Sequence, residues 1–406
     1  MLFQTLDDKS ECVGIYANKE LVFNPEHFPE NLSLTWKYVP YLRGLDVDYA
    51  SLYLEGEKVQ DHVPEYLQDD WTDVSNKIEA FRRSLTISKV STQENCFYDL
   101  VPKRFLAEYC EVRNRITSHI AKKLKRPARY DFYKHVSMML GDIAERKVKI
   151  DARKVRSYLG DRKLKNTATS LLNCEPRVSY NQFGTKTGRL TTRPNTFPIL
   201  TLNKSFRGAI MPQNDYFLEL DFNGAEVRTL LGLLGKEQPS QDVHDFHLRT
   251  IFKSLKTRDE AKVAFFSWLY GSKAFRDASE RFELESFYDK SDLLAKYWID
   301  NTVTTPYKKV IKNTSRHHAL NYLVQSTAAD LALKQALKID HLLRTQSTKS
   351  CIAFIVHDAV VIDMKNEDDH LITLLENLMS STNFGTFMVN IKKGKTLGSM
   401  REFKIG

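Results

Sequence analysis

Two strand-like stretches lie far apart in this chain, and together they limit its fold more than anything else in it. The first, YFLELDF (216–222), is an apolar strand that ends near Asp221, just before a helix that begins near Ala225. The second, CIAFIVHDAVVIDM (351–364), holds two β-prone runs, Phe354-Ile355-Val356 and Val360-Val361-Ile362, separated only by His357-Asp358-Ala359. So short a separation predicts a hairpin with its tight turn at His357-Asp358. From about 242 to 346 the apolar pattern is mainly helical. Strands return at 351, followed by a helix near 367–380 and a final strand around Met388-Val389-Asn390-Ile391. Strands on either side of a helical insertion predict an α+β protein whose antiparallel sheet is interrupted by a helical subdomain.

The 406 residues are enough for two or three domains. Residues 1 to about 110 read as a small α+β region with a helix-like stretch near 72–84. A basic segment, AKKLKRPAR (121–129), follows and serves either as a boundary or as a solvated patch. Residues 132–158 are helical with a break at KVKID, and 178–232 are rich in turns and short strands. The formal net charge is +9, which favours polyanionic partners. Five scattered cysteines without a CxxC pair argue against a disulfide framework or a zinc site and predict a reducing cytosol. The N-terminus, MLFQTLDDKSECVG, carries acids where a signal peptide needs a basic and then an apolar stretch. No run approaches the roughly 18 apolar residues of a membrane span, so no membrane partner is expected.

The residues with chemical potential are few. Asp221, taken alone, is an ordinary turn or N-cap aspartate, and Asp358, taken alone, is a turn former. If both strands share one sheet, the two carboxylates meet, and they repel unless cations sit between them. Paired Mg²⁺ ions about 4 Å apart can activate a hydroxyl and stabilise a leaving phosphate oxygen. In RDEAKVAFFSWLYG (258–271), Arg258, Lys262, Phe266 and Tyr270 recur every four residues. On an α-helix they form one slowly drifting stripe: two cations for a triphosphate, then two aromatics for stacking. Core packing explains aromatics and solvent explains cations, but one stripe does not easily face both.

The pattern Arg-x3-Lys-x3-Phe-x3-Tyr-Gly resembles the fingers helix of the family A DNA polymerases, the group of bacterial DNA polymerase I and its phage relatives. Asp221-Phe222-Asn223-Gly224-Ala225-Glu226-Val227-Arg228 resembles the first palm motif of that family, and His357-Asp358 the last. Thr187-Gly188-Arg189-Leu190, Asp242-Val243-His244, the run Asn321 to Asp330 and the closing VNIKKGK are similar to further family motifs, all in the family's order. The resemblance covers about 130 to 406. It implies a right-hand polymerase: an antiparallel palm sheet, helical fingers, a shortened thumb and a small N-terminal α+β region. The expected division is 1–120 as an N-terminal, degenerate exonuclease-like region, 121–190 as reduced thumb and palm entry, 191–240 as palm, 241–320 as fingers and 321–406 as palm.

The resemblance also implies roles. Asp221 and Asp358 would hold two Mg²⁺ ions, with Mn²⁺ as a substitute, helped by the carbonyl of Phe222. Arg258, Lys262 and His244 would hold the triphosphate of a dNTP, with Lys262 donating a proton to departing pyrophosphate. Phe266 would pack on the incoming nucleotide and Tyr270 would stack at the templating position. Glu226 would be a steric gate against a 2′-hydroxyl, and Arg189, Asn321, Gln325 and His357 would contact primer-template DNA.

Three departures accompany the match. Ala359 stands where the family usually has Glu, with a lesser change at His317, where bacterial members carry Arg. Only a few dozen residues separate ERKVKID (145–151) from the Thr187 motif, and RKLKNT (162–167) already resembles the returning thumb helix. The expectation is low intrinsic processivity unless residues 1–120 or a processivity factor compensates. The N-terminal region offers only Asp46-x-Asp48 as an exonuclease-like acid pair, read here as surface acids, so no proofreading is expected. The competing readings are a single-subunit RNA polymerase and a non-catalytic protein that binds primer-template.

Overall fold

The computed structural model describes residues 1–9, 11–92, 94–252, 254–270 and 278–404, so Gly271 of the fingers-helix pattern lies outside the described residues. The chain divides into two compact units, residues 1–145 and 146–406.

In the first unit β1 (Phe3–Asp8), β2 (Glu11–Ala17) and β3 (Glu20–Val22) form an antiparallel meander, with Phe3 opposite Ala17 and Ile15 opposite Val22. The short strands β4 (Leu34–Thr35) and β5 (Asp48–Tyr49) pair in parallel. A parallel bridge from Leu2 to Leu34 joins them to the meander, giving the order β3-β2-β1-β4-β5. The helices are α1 (Gln68–Ile87), α2 (Lys103–Lys123) and α3 (Tyr130–Glu145). Val112, Ile116 and Ile120 recur at helical spacing and bury one face of α2 in a cluster with Val74 and Ile78 of α1. Asp46 and Asp48 lie beside cations: Lys134 Nζ is 3.5 Å from Asp46 and 4.0 Å from Asp48, and Arg126 is 3.9 Å from Asp48.

The second unit is built on a five-stranded sheet. After the small pair β6 (Tyr180–Asn181) and β7 (Thr191–Thr192), the chain enters β8 (Tyr216–Phe222) and turns at Asn223-Gly224 into α4 (Ala225–Leu233). Gly224 has φ +66°, and a Cβ there would lie 2.5 Å from Val243, so only glycine fits this turn. Helices α5 (Val243–Thr250), α6 (Arg258–Leu269) and α7 (Arg316–Thr345) follow, and then β9 (Cys351–Val356), β10 (Ala359–Met364), α8 (Ile372–Ser380), β11 (Val389–Gly394) and β12 (Arg401–Glu402). The sheet order is β9-β10-β8-β11-β12, with every neighbour antiparallel. Strands from before and after the helical insertion therefore share one sheet.

Register decides what each sheet face carries, because directly opposed residues point the same way. Asp221 lies opposite Ala359 on one side and Asn390 on the other, and Glu219 lies opposite Val361 and Lys392. The other face presents Leu218, Leu220 and Phe222 with Val360, Ile362 and Ile391, all buried; each such side chain contributes about 1.5–3 kcal/mol relative to exposure. Gln335 of α7 donates to the carbonyls of Met379 and Ser381, at 3.1 and 2.7 Å, closing the otherwise unpaired end of α8. All five cysteines are free. Among the described residues no helix is long and apolar enough to cross a membrane.

Candidate active site

β8 and the β9–β10 hairpin deliver the two aspartates. Asp221 is the penultimate residue of β8, and His357-Asp358 is the two-residue turn closed by the Val356–Ala359 pair. His357 has φ +58° at the first turn position, a place that hairpins usually give to glycine. A clamp holds the turn from behind: the Tyr180 hydroxyl donates to Ile355 O at 2.8 Å and accepts from Ile355 N–H at 2.9 Å. The β9 register is irregular just before it, between Ile352 and Phe354.

Asp221 and Asp358 line one cleft of about 300 Å³. Burial, then the nearby Asp358 charge, pushes the Asp221 carboxyl up to about 7. Burial also raises Asp358, against the pull of Arg189, His357 and Lys262. Two half-buried carboxylates that destabilise each other's charge form a donor set suited to hard divalent cations, and Phe222 lies at the same rim. Ala359, on the same sheet face directly beside Asp221, supplies no third carboxylate. Among the described residues no group of three His, Cys, Asp or Glu is placed to hold a metal.

Helix α6 supplies the opposite wall. Thr257 and Glu260 form a reciprocal capping box that fixes its start. Ala261, Phe265, Trp268 and Leu269 bury one face in the insertion's core. That leaves Arg258, Lys262, Phe266 and Tyr270 along the cleft, and the rings of Phe266 and Tyr270 stack at 5.7 Å. The tension over the stripe disappears, since it faces a partly desolvated cleft that is neither core nor open water.

Glu226, buried on the first turn of α4, accepts from Arg189 and, at 2.9 Å, from the Tyr270 hydroxyl. Burial and the Glu226 carboxylate push the Tyr270 phenol up to about 12, so it remains a donor. His244 is buried with its Nδ1 unpartnered, and burial lowers it to about 4; in neutral solution its ring is uncharged. On α7, Gln325 accepts from Thr187 at 2.7 Å, which ties the Thr187–Leu190 loop to this helix. Asn321 lies one turn earlier with its buried Oδ1 unpartnered. Asn321, Gln325 and His357 are not among the residues that line the cleft, and His357 is exposed at the hairpin tip.

Three residues of the quoted motifs, with no individual role assigned from sequence, act as struts. Asp242 accepts from Asn223 at 2.6 Å and Arg258 at 2.8 Å, and caps α5 through the N–H groups of His244 and Asp245. Burial alone would raise this carboxyl, but Arg258, Asn223 and the two backbone N–H groups outweigh it and hold the group well below the usual carboxylate range. Arg228 is fully buried and donates to the carbonyls of Asn223, Pro239 and Gln241, so it ties the β8–α4 turn to the approach to α5. Lys392 meets Glu219 at 2.6 Å, one pleat from Asp221. An Arg within the apolar AEVRTLLGL and an Asp before Val243-His244 were the visible signals. Asp242→Ala should free Arg258 and uncap α5: we expect a loss of about 1 kcal/mol in stability, read by thermal melting.

No family model matches the chain. It is 26% identical over 250 residues to DNA polymerase I of Chloroflexus aurantiacus, covering 50% of this chain and 26% of that protein. It is 23% identical over 293 residues to DNA polymerase I of Borreliella burgdorferi, covering 59% and 32%. Against DNA polymerase I of Caldicellulosiruptor bescii the figures are 25% over 240 residues, 48% and 28%. The aligned region thus spans about a quarter to a third of each relative's length. In fold the chain is similar to the POL domain of Pol1 from M. smegmatis, solved in complex with DNA primer-template and dNTP, with a TM-score of 0.56 at 14% identity over 73% of this chain and 76% of that one. In sequence the chain is thus similar to bacterial DNA polymerase I over about half of its length, and its α+β fold is similar to that of a polymerase domain.

Proposed function

We propose that this protein is a template-directed DNA polymerase that adds deoxynucleotides to a primer 3′ end. One observation carries the reading: Asp221, Asp358, Glu226, His244, Arg258, Lys262, Phe266 and Tyr270, drawn from a strand, a hairpin and three helical segments, line a single cleft. The relatives' name, DNA polymerase I, and the primer-template and dNTP bound to the structural neighbour support carrying the activity over.

Asp221 and Asp358 would hold two divalent cations, Mg²⁺ or Mn²⁺, with the Phe222 carbonyl assisting. When bound, these ions supply activation of the primer hydroxyl and stabilisation of charge on the leaving phosphate. Arg258, braced by Asp242, and Lys262 bind the triphosphate, and Lys262 is the proton donor to departing pyrophosphate. Neutral His244 offers a hydrogen bond without adding charge. Phe266 packs on the nucleotide and Tyr270 stacks at the templating position. Glu226, fixed by Arg189 and Tyr270, occupies the space a 2′-hydroxyl needs, while Arg189, Asn321, Gln325 and His357 contact primer-template.

Two finer features belong to the same proposal. Between Arg146 and β6 the helical segments are all short, Ala152–Arg156, Ser157–Gly160 and Lys165–Asn173, which supports a reduced thumb and low intrinsic processivity. The cations beside Asp46 and Asp48 support a first unit without proofreading chemistry. Primer extension with dNTPs and with rNTPs tests the central reading, because a strong rNTP preference would overturn it. Glu226→Ala should weaken discrimination against rNTPs by roughly 10- to 100-fold and should also raise KM for dNTPs, since Arg189 and Tyr270 lose their acceptor.

A further inference from the structure

The first unit carries a charged groove that plays no part in the site described above. It has a volume of about 510 Å³ and runs along the C-terminal half of α2. The basic segment at 121–129 divides in two here. Arg126 pairs with Asp131 at 2.8 Å and covers the Tyr130 ring, and Arg129 is buried against Phe132 and Tyr133. Lys122 and Lys123 instead stand exposed on the groove, with Lys19 and Arg115. The acid that lines it, Glu111, already accepts from the Tyr16 hydroxyl at 2.9 Å, and Arg115 also meets Asp70 at 2.8 Å.

Two further observations narrow the occupant. Tyr66 is 67% exposed and lines the groove, with the His119 ring edge-on at 6.3 Å. Asn114 also lines the groove and is more than nine-tenths buried. Its Oδ1 accepts from Gln4 at 2.9 Å, a bond that does not use its own amide N–H groups. A cationic track with an open aromatic face and buried amide donors matches a chain of phosphates bearing flat bases.

We propose that residues 1–145 hold a non-catalytic binding site for single-stranded DNA, with Tyr66 stacking a base and Lys19, Lys122 and Lys123 pairing with phosphates. The choice of DNA over RNA rests on the polymerase reading; the single-stranded site itself does not. Fluorescence anisotropy of the full chain without nucleotides or divalent cations, using labelled dT20, rU20 and a blunt duplex, tests it independently of catalysis. Tyr66→Ala should weaken dT20 binding roughly tenfold. Lys122→Gln/Lys123→Gln should lower the slope of log affinity against log salt by about 1.4, and Lys122→Arg/Lys123→Arg should keep it. All the altered side chains are exposed, and thermal melting checks that the fold survives. Unchanged dT20 affinity and slope would overturn the site. Equal losses on blunt duplex would overturn its single-strand character, and a larger loss on rU20 would overturn the assignment to DNA. Displacement of dT20 by a polyglutamate peptide at equal charge concentration would reduce the groove to a general anion patch and would also overturn the proposal.

Discussion

Asp358→Ala is expected to cut primer extension by at least about 10³-fold while leaving affinity for primer-template within about twofold. The asymmetry follows from where the residue stands. Its carboxylate lies at the tip of a two-residue turn, so removing it deletes the proposed cation ligand and leaves the hairpin backbone in place. The backbone that carries it is held independently by the Val356–Ala359 pair and by both hydrogen bonds of Tyr180 to Ile355. That support also maintains His357 at φ +58°, a conformation costing on the order of 1–2 kcal/mol, so the turn should keep its shape in the variant. Ala359 makes the consequence severe, since it offers no carboxylate beside Asp221, and Glu219 on the same sheet face is engaged by Lys392. Extension of a primed template measures the first quantity and anisotropy of labelled primer-template the second. Residual extension near the wild-type rate would sink the assignment of Asp358, and loss of DNA binding in parallel would show a structural defect.

Most of the site was legible because its signals were local and periodic. The four-residue spacing from Arg258 to Tyr270 survives any tertiary arrangement, since a helix of that length can present those side chains only as a stripe. The hairpin at His357-Asp358 is equally constrained by two β-prone runs with no room for a longer loop. Asp221 and Asp358 required one further step, that two distant strands share a sheet, and helical insertion between them pointed that way. What escaped notice depends on partners that sequence spacing does not encode. Asp242 looks like a helix N-cap, which it is; that it also braces Arg258 depends on how α5 and α6 pack. Glu226 reads as a gate, but its bonds to Arg189 and Tyr270 join residues 37 and 44 positions away. The basic segment at 121–129 could not be divided by sequence, because burial alone separates Arg129 from Lys122 and Lys123.

The same electrostatics that suit the site to cations should make it costly without them. Burial and Asp358 raise the Asp221 carboxyl from 3.8 to about 7, so the folded chain binds this proton more tightly than the unfolded chain does. The resulting stabilisation is complete below about pH 4 and is lost progressively as pH rises through 7. Above that, the cation-free protein carries an unfavourable half-buried charge. Asp221→Asn keeps the shape and removes the charge. We therefore expect the variant to be more stable than the parent at pH 8 without divalent cations, by roughly 1–3 kcal/mol after allowance for solvent relaxation, and nearly equal to it at pH 4. Addition of Mg²⁺ should raise the melting temperature of the parent at pH 8, do so far less at pH 5.5, and leave the variant almost unmoved. Thermal melts at the three pH values, with and without Mg²⁺, decide the matter: a variant less stable than the parent at pH 8 would mean that Asp221 is a structural carboxylate whose charge the fold already satisfies. A stability gain joined to lost extension would instead mark Asp221 as a residue kept at the expense of the fold because the chemistry requires its charge.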